Sequence, residues 1–218
     1  VFALAFYDET EESLYLFRDR IGVKPLFYTR QGDTIFFASE IETLLVNSGV
    51  KLVLDWKGLN EVFSIGPAKT YGCGVFKGID EVLPGHLLSC TGAEMKNSCY
   101  WKLESKVHED NYEQTVEKTA FLLEDAVKNQ MVSGVPVCTF LSGGLDSSLV
   151  SAICARELRK EGKRLHTFSF DFVGNDKNFQ ANMFQPSQDR PYVEKMVTFL
   201  DSEHHYLECD SRTQADYL

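Results

Sequence analysis

The residues best suited to chemistry lie at positions 142–148, where the chain reads Ser-Gly-Gly-Leu-Asp-Ser-Ser. Glycines allow a tight turn and let a ligand come close to the backbone. The hydroxyl groups of Ser142 and Ser147 can donate hydrogen bonds to phosphate oxygens. Asp146 would repel a phosphate unless a cation lies between them. The segment therefore predicts Mg²⁺ held jointly by Asp146 and phosphate oxygens.

The neighbouring residues predict how this segment is positioned. Residues 137–141 form a short apolar run that is typical of a strand buried on both faces, and the spacing of apolar residues predicts a helix over 147–160. The segment is then a strand-to-helix turn. Free N–H groups and the helix dipole at such a helix start attract an anion. An ordinary helix capped by Asp or Ser is the alternative that the local pattern leaves open.

The first part of the chain has the pattern of an antiparallel β structure. Short alternating or apolar runs, separated by polar turns, predict strands and hairpins up to about residue 103. Ser39 is expected to cap one short helix, and a second is predicted around residues 56–63. Residues 104–110 are polar and charged, which indicates a linker.

Helices and strands alternate in the rest of the chain. Asn111 is expected to cap a long amphipathic helix with a buried apolar stripe, and residues 211–218 predict the start of another helix. Such alternation predicts a parallel, doubly wound α/β sheet. The intervening elements are strands at 137–141, 165–170 and 204–208 and helices at 147–160 and 189–200.

Composition excludes several classes of protein. A hydrophobic content of 44% and a charged content of 25% are those of a globular protein, and the net charge of −10 argues against general affinity for nucleic acids or membranes. No apolar run is long enough to span a membrane. The cysteines form no C-x-x-C pair, which favours a reducing, cytoplasmic location and argues against disulfides or zinc. They lie at positions 73, 90, 99, 138, 154 and 209.

Several motifs together resemble a known enzyme family. SGGLDSS after a strand is similar to the PP-loop of ATP pyrophosphatases, which cleave ATP between its α and β phosphates. Other segments, in the same order, resemble glutamine-hydrolysing asparagine synthetases, and the resemblance covers nearly the whole chain. These segments are FRDRIGVKPLFY (17–28), FFASEIETLL (36–45), VLPGHLL (82–88), HTFSFDF (166–172) and SQDRPYVEKMVTFLDSEHHYLE (187–208).

The resemblance implies an α+β region followed by an α/β region. Residues 1–103 would be the later part of an Ntn-type glutaminase, an antiparallel β-rich remnant of an αββα sandwich. Residues 104–110 would be the linker. Residues 111–218 would be the first part of a parallel-sheet PP-loop ATP pyrophosphatase domain that acts as the synthetase.

The resemblance also implies substrates and site residues. ATP, aspartate and glutamine-derived ammonia would give asparagine, AMP, pyrophosphate and glutamate, with Mg²⁺ bound by Asp146. Family members often pair as dimers, so a homodimer is expected as one assembly. The nucleoside would contact Phe140 and Phe170, which also fit a reading as core strand residues. The residues expected to bind ATP phosphates are Ser142, Gly143, Gly144, Asp146 and Ser147.

The chain departs from the family at its start. The family's glutaminase nucleophile is an N-terminal cysteine, whereas this sequence begins with Val1. We therefore assign no catalytic residue, expect a partial chain, and predict that this polypeptide alone releases no ammonia from glutamine. Two alternatives stay open: a paralogue with another acceptor, such as a β-lactam synthetase-like enzyme, and a catalytically incomplete ATP-binding fragment.

Overall fold

The structure of the protein is a computed structural model that describes residues 1–46, 49–51, 53–64, 69–183 and 187–210. The chain forms two compact units, Val1–Val107 and His108–Leu218. The helix predicted to begin within residues 211–218 lies outside the described residues.

The first unit consists of two antiparallel sheets and two helices in its described part. One sheet has the strand order β1-β2-β6-β7 and the other has the order β4-β3-β5. The elements are β1 Ala3–Asp8, β2 Ser13–Arg18, β3 Phe27–Gln31, β4 Thr34–Ala38, α1 Ile41–Leu45, α2 Trp56–Ser64, β5 Ile79–Glu81, β6 His86–Thr91 and β7 Glu94–Cys99.

Alternating side chains give the first unit two apolar cores. Leu16 on β2 and Leu88 on β6 pack with residues of the β3–β4 hairpin, so this core joins the two sheets. The second core places Leu44 of α1 against Phe27 and Ile79 of the β4-β3-β5 sheet. The predicted antiparallel strands are confirmed. The predicted Ser39 cap is wrong, because α1 begins after Glu40 and no side chain caps it.

The second unit alternates helices and strands as predicted. Its three strands are parallel and have the order β10-β9-β8. The Asn111 cap is confirmed: its side chain accepts from the N–H of Gln114, whose side chain accepts from the N–H of Asn111. The elements are α3 Tyr112–Gln130, β8 Cys138–Phe140, α4 Leu145–Lys160, β9 His166–Phe172, α5 Asn175–Asn178, α6 Arg190–Leu200 and β10 Glu203–Cys209.

Helices α3, α4 and α6 of the second unit share a single core. Leu141, Cys154 and Val193 are buried in it, and Val127 and Met131 from the end of α3 pack against it. The expected buried stripe is wrong for most of α3: no residue of the helix is buried, Val116 and Leu123 are exposed, and of the stripe only Val127 and Met131 are partly buried.

The prediction that residues 137–141 are buried on both faces is wrong. β8 is an edge strand of the described sheet, with Cys138 exposed and the Phe140 side chain 76% exposed. Thr139 points the other way and bonds Ser151 of α4. In the described residues, the apolar core formed by the helices lies on the opposite face of the sheet from Phe140. The predicted doubly wound arrangement, with helices packed on both faces, is therefore not seen in this part of the chain.

The fold class is confirmed at the level of antiparallel sheets in one unit and a parallel sheet in the other. The Ntn-type and PP-loop assignments stay predictions. Among the described residues, no helix is both long and apolar enough to cross a bilayer.

Candidate functional site

The 142–148 segment starts from a firmly held strand end. Leu141 is 1% exposed, and its N–H donates to the carbonyl of Phe168 at 2.8 Å. The hydroxyl of Ser169 donates to the carbonyl of Leu141. The backbone just before the segment is therefore fixed to β9, and the turn that follows has a defined position.

Two serine hydroxyls shape the turn from inside. The Ser147 hydroxyl accepts from the N–H of Ser142 at 3.2 Å and can donate to the carbonyl of Gly144 at 3.2 Å. The Ser142 and Ser147 hydroxyl oxygens lie 3.0 Å apart. These contacts close the chain into a small loop (residues 142–148), which we call the phosphate loop after the role that the sequence predicts for it.

Helix α4 begins earlier than predicted, which places Asp146 in its first turn. The N-cap is Gly144, and no side chain caps the helix. The alternative of a helix capped by Asp or Ser is therefore wrong. The first N–H groups of a helix, here those of Leu145, Asp146 and Ser147, have no partner within the helix. Asp146 is exposed beside them, so the loop presents N–H donors and one carboxylate outward.

Gly143 is required by its surroundings on two counts. Its φ of +76° is a conformation that favours glycine, and an added Cβ would lie 2.8 Å from Cβ of Tyr192 and 3.1 Å from the carbonyl oxygen of Asp189. The beginning of α6 therefore lies directly against the phosphate loop. Two helix N-termini, those of α4 and α6, meet at this point, and both dipoles favour an anion.

A cavity of about 370 Å³ opens beside the loop at the carboxyl ends of the strands, where open α/β sheets bind ligands. Ser142 lines it, as do Phe140 and Phe170, which are 76% and 56% exposed. The structure thus brings Phe140 and Phe170, the two residues predicted to contact the nucleoside, to the same cavity as Ser142. Gly143, Gly144, Asp146 and Ser147 do not line this cavity but follow Ser142 around the loop.

The first residues of α6 add a charge that was not singled out from the sequence. Arg190 lines the cavity, and its guanidinium lies 4.5 Å from the ring centre of Tyr206. Burial is the main cause that raises the pKa of Tyr206, which keeps the phenol neutral. The Asp189-Arg190-Pro191 sequence predicts a helix start that is capped by Asp189 and whose end could face a nucleotide. The helix start is confirmed but the side-chain cap is wrong, and the contact between α6 and the loop is not visible locally in the sequence.

Two of the three cysteines of the first unit lie in its interior. Cys73 and Cys90 are buried, and burial raises the pKa of the Cys90 thiol. Cys99 is exposed, and its thiol donates to the carbonyl of Trp101 at 3.2 Å. A raised pKa disfavours the thiolate that a nucleophile needs.

Comparison with protein families matches nearly the whole chain with two family models. The model described as a glutamine amidotransferase domain matches residues 1–101. The model described as asparagine synthase matches residues 118–218 and includes the phosphate loop.

Curated relatives give the same result. Over 219 residues, covering 100% of this chain, it is 46% identical to the glutamine-hydrolysing asparagine synthetase 3 of Bacillus subtilis. Identity is 33% over 78% of the chain to synthetase 2 of the same bacterium, and 31% over 94% to a putative asparagine synthetase 2 of Methanocaldococcus jannaschii. The chain covers 36%, 24% and 38% of the lengths of these relatives.

Proposed function

We propose, from the premise that this chain belongs to the family of glutamine-hydrolysing asparagine synthetases, that the protein containing it makes asparagine. The aspartate side-chain carboxylate attacks the α-phosphorus of ATP and pyrophosphate leaves. Ammonia released from glutamine then attacks the acyl carbon, and AMP leaves. Glutamate is the other product. The names of these three relatives favour aspartate as the acceptor substrate rather than the acceptor of a β-lactam synthetase-like paralogue.

The phosphate loop would supply the site for the ATP phosphates. The observation that carries this proposal is its place at the N-terminus of α4, with the α6 start packed against Gly143. Backbone N–H groups there can bind oxygens that become more negative as pyrophosphate leaves. Ser142, Gly143, Gly144 and Ser147 would make these contacts.

Asp146 would hold Mg²⁺. Magnesium in nucleotide sites is bound by one or two carboxylates together with phosphates and water. A single exposed carboxylate next to hydroxyl and N–H donors fits that requirement. When bound, the ion would neutralise phosphate charge, and the role of Asp146 is to fix its position beside the loop.

Phe140 and Phe170 would contact the nucleoside. Both rings are exposed and line the cavity beside Ser142. An exposed aromatic ring on a strand offers a flat apolar surface for a base. This differs from the core role that the strand pattern alone also allowed.

The first unit would belong to the glutaminase half. Two packed antiparallel sheets with a helix on one side are compatible with part of an αββα sandwich. None of its described cysteines is proposed as the nucleophile, since Cys73 and Cys90 are buried and Cys99 bonds a carbonyl. We assign no catalytic residue in this chain.

Calorimetric titration of Mg·ATP into this chain and its Asp146→Asn variant tests the proposal. The parent should bind, and the variant should lose the magnesium-dependent part of the affinity. Asp125→Asn is the matched control, because Asp125 is an exposed carboxylate on α3 and its removal changes the net charge equally. Equal affinity of parent and Asp146→Asn, or no binding by a chain that circular dichroism shows to be folded, would contradict it.

A further inference from the structure

Three metal-ligating side chains meet on the open face of the β10-β9-β8 sheet. Glu203 and His205 lie two residues apart on β10, so they point to the same face. His166 on β9 lies directly opposite Glu203 in the parallel register. The sheet therefore brings together three residues that the sequence keeps up to 39 positions apart.

The distances between the ligand atoms suit a single ion. Nδ1 of His166 and Nε2 of His205 lie 3.2 Å apart, and each lies 3.8 Å from Oε1 of Glu203. Zinc binds imidazole nitrogens at about 2.0–2.1 Å, which separates tetrahedral ligands by about 3.4 Å. Small side-chain movements would place all three atoms around one ion.

Both imidazole rings of the cluster make stacking contacts. The His205 ring stacks on Phe168 with centroids 4.7 Å apart, and the His166 and His205 rings are nearly parallel at 11°. Side-chain exposures of 44%, 53% and 39% for His166, Glu203 and His205 leave a path for an ion and room for a water ligand. Such pre-ordering lowers the entropy lost on binding.

His204 takes no part, as the alternation along a strand requires. Its Nδ1 lies 2.8 Å from the hydroxyl of Thr167, whose side chain is fully buried on the opposite face. Adjacent His204 and His205 therefore point to opposite faces of the sheet. No local pattern shows that His166 and Glu203 lie beside His205, because that depends on the strand register.

The simplest other explanation accounts for only part of the geometry. A hydrogen bond between two neutral imidazoles explains the 3.2 Å distance between His166 and His205. It does not require Glu203 to lie equally far from both nitrogens. The nearby guanidinium of Arg164 is paired with Asp201 at 2.6 Å, which reduces its repulsion of a cation.

We propose that His166, Glu203 and His205 form a binding site for a divalent transition metal such as Zn²⁺. Two imidazoles and one carboxylate are a ligand set for zinc, whereas Mg²⁺ prefers oxygen ligands. Glu203 and His166 begin their strands, and the phosphate loop follows the end of β8. The site is thus at the opposite end of the parallel strands from the proposed Mg·ATP site, and bound metal would join β9 to β10.

The test is calorimetric titration of Zn²⁺ into this chain and its His205→Gln and Glu203→Gln variants. We expect one equivalent to bind to the parent, with affinity lowered about tenfold or more in each variant, since even losing a residue that supports a ligand costs that much. His108→Gln is the control, because it removes an exposed histidine outside the cluster. Zinc should also raise the unfolding temperature of the parent more than that of the variants.

Cysteine is the competing zinc ligand in this chain, and Co²⁺ separates the two kinds of site. Cobalt bound by imidazole and carboxylate should lack the intense near-ultraviolet absorption of thiolate ligation. Thiolate absorption, or equal zinc affinity in parent, His205→Gln and Glu203→Gln, would overturn the proposal. Because the three side chains are about half exposed, the variants should fold, and circular dichroism checks this. Should His205→Gln unfold, the isosteric Glu203→Gln variant decides.

Discussion

Two glycine-containing turns, one in each unit, use an aspartate in opposite ways. At residues 19–24 of the first unit, Asp19 is 5% exposed and accepts from the N–H groups of Ile21, Gly22, Val23 and Lys24. In the phosphate loop, Asp146 is exposed at the start of α4. The Asp19 carboxylate is occupied by hydrogen bonds from its own turn, whereas the Asp146 carboxylate is available to a ligand.

Arg18, next to the first turn, also makes its bonds within the fold. Arg18 donates to the carbonyls of Gly22, Lys24 and Val82, and it pairs with Glu81 at 2.8 Å. Glycine and charged residues in a turn therefore do not by themselves indicate a site. What distinguishes the phosphate loop is that its donors and its carboxylate face outward.

The largest effect should come from removing the buried carboxylate. Asp19→Ala leaves the N–H groups of Ile21, Val23 and Lys24 without their acceptor, and we expect the first unit to lose about 3 kcal/mol or more of stability. Asp146→Ala should change stability by less than about 0.5 kcal/mol. Urea unfolding followed by tryptophan fluorescence reports on the first unit, since Trp56 and Trp101 both lie there, and far-ultraviolet circular dichroism follows the helices of the second unit, which contains Asp146. A similar cost for the two variants would remove the contrast between the turns.

Acid should weaken the stabilisation that the Asp19 carboxylate gives to the first unit. Burial opposes ionisation of Asp19, but the N–H groups of Lys24, Val23, Phe2 and Gly22 outweigh it and lower the pKa to about 2. The carboxylate therefore stabilises the fold fully above about pH 4, its unfolded pKa, and that stability is lost as pH falls through about 2. The stability gap between parent and Asp19→Asn should shrink in this window, as measured by urea unfolding. A constant gap would refute the assigned contacts.

The two glycines of the phosphate loop should differ from each other. Gly143→Ala forces a strained φ and a contact of 2.8 Å with Tyr192, so we expect a loss of about 2 kcal/mol in the second unit. Gly144→Ala meets only the Ser142 hydroxyl at 3.4 Å and should cost less. Urea unfolding followed by far-ultraviolet circular dichroism measures both. If the two variants cost the same, α6 does not pack on the loop as described.

The smallest effect that we predict tests whether Phe140 contacts the nucleoside rather than the phosphates of ATP. Phe140→Ala removes an exposed ring beside Ser142, and we expect Mg·ATP to bind about tenfold more weakly. Binding of Mg·pyrophosphate should be unchanged, because it has no base. Calorimetry with both ligands makes the comparison, and an equal loss for the two would show that Phe140 supports the loop itself.

The sequence predicted those features that local signals determine. Asn111 with Gln114 is a complete capping signal within four residues, and the glycines at 143 and 144 mark the turn. The exposure of Phe140 could not be predicted, since it depends on β8 lying at a sheet edge. The contact of Gly143 with Tyr192 joins residues far apart in the chain, so it could not be predicted from a local pattern either.

The most direct test of the contrast between the turns is an amide NMR titration of this chain with Mg·ATP. We predict that the N–H signals of Gly143, Gly144, Leu145, Asp146 and Ser147 shift, while those of residues 21–24 stay in place. A chain that binds Mg·ATP without shifting the loop signals would contradict the assignment of the phosphate loop as the nucleotide site.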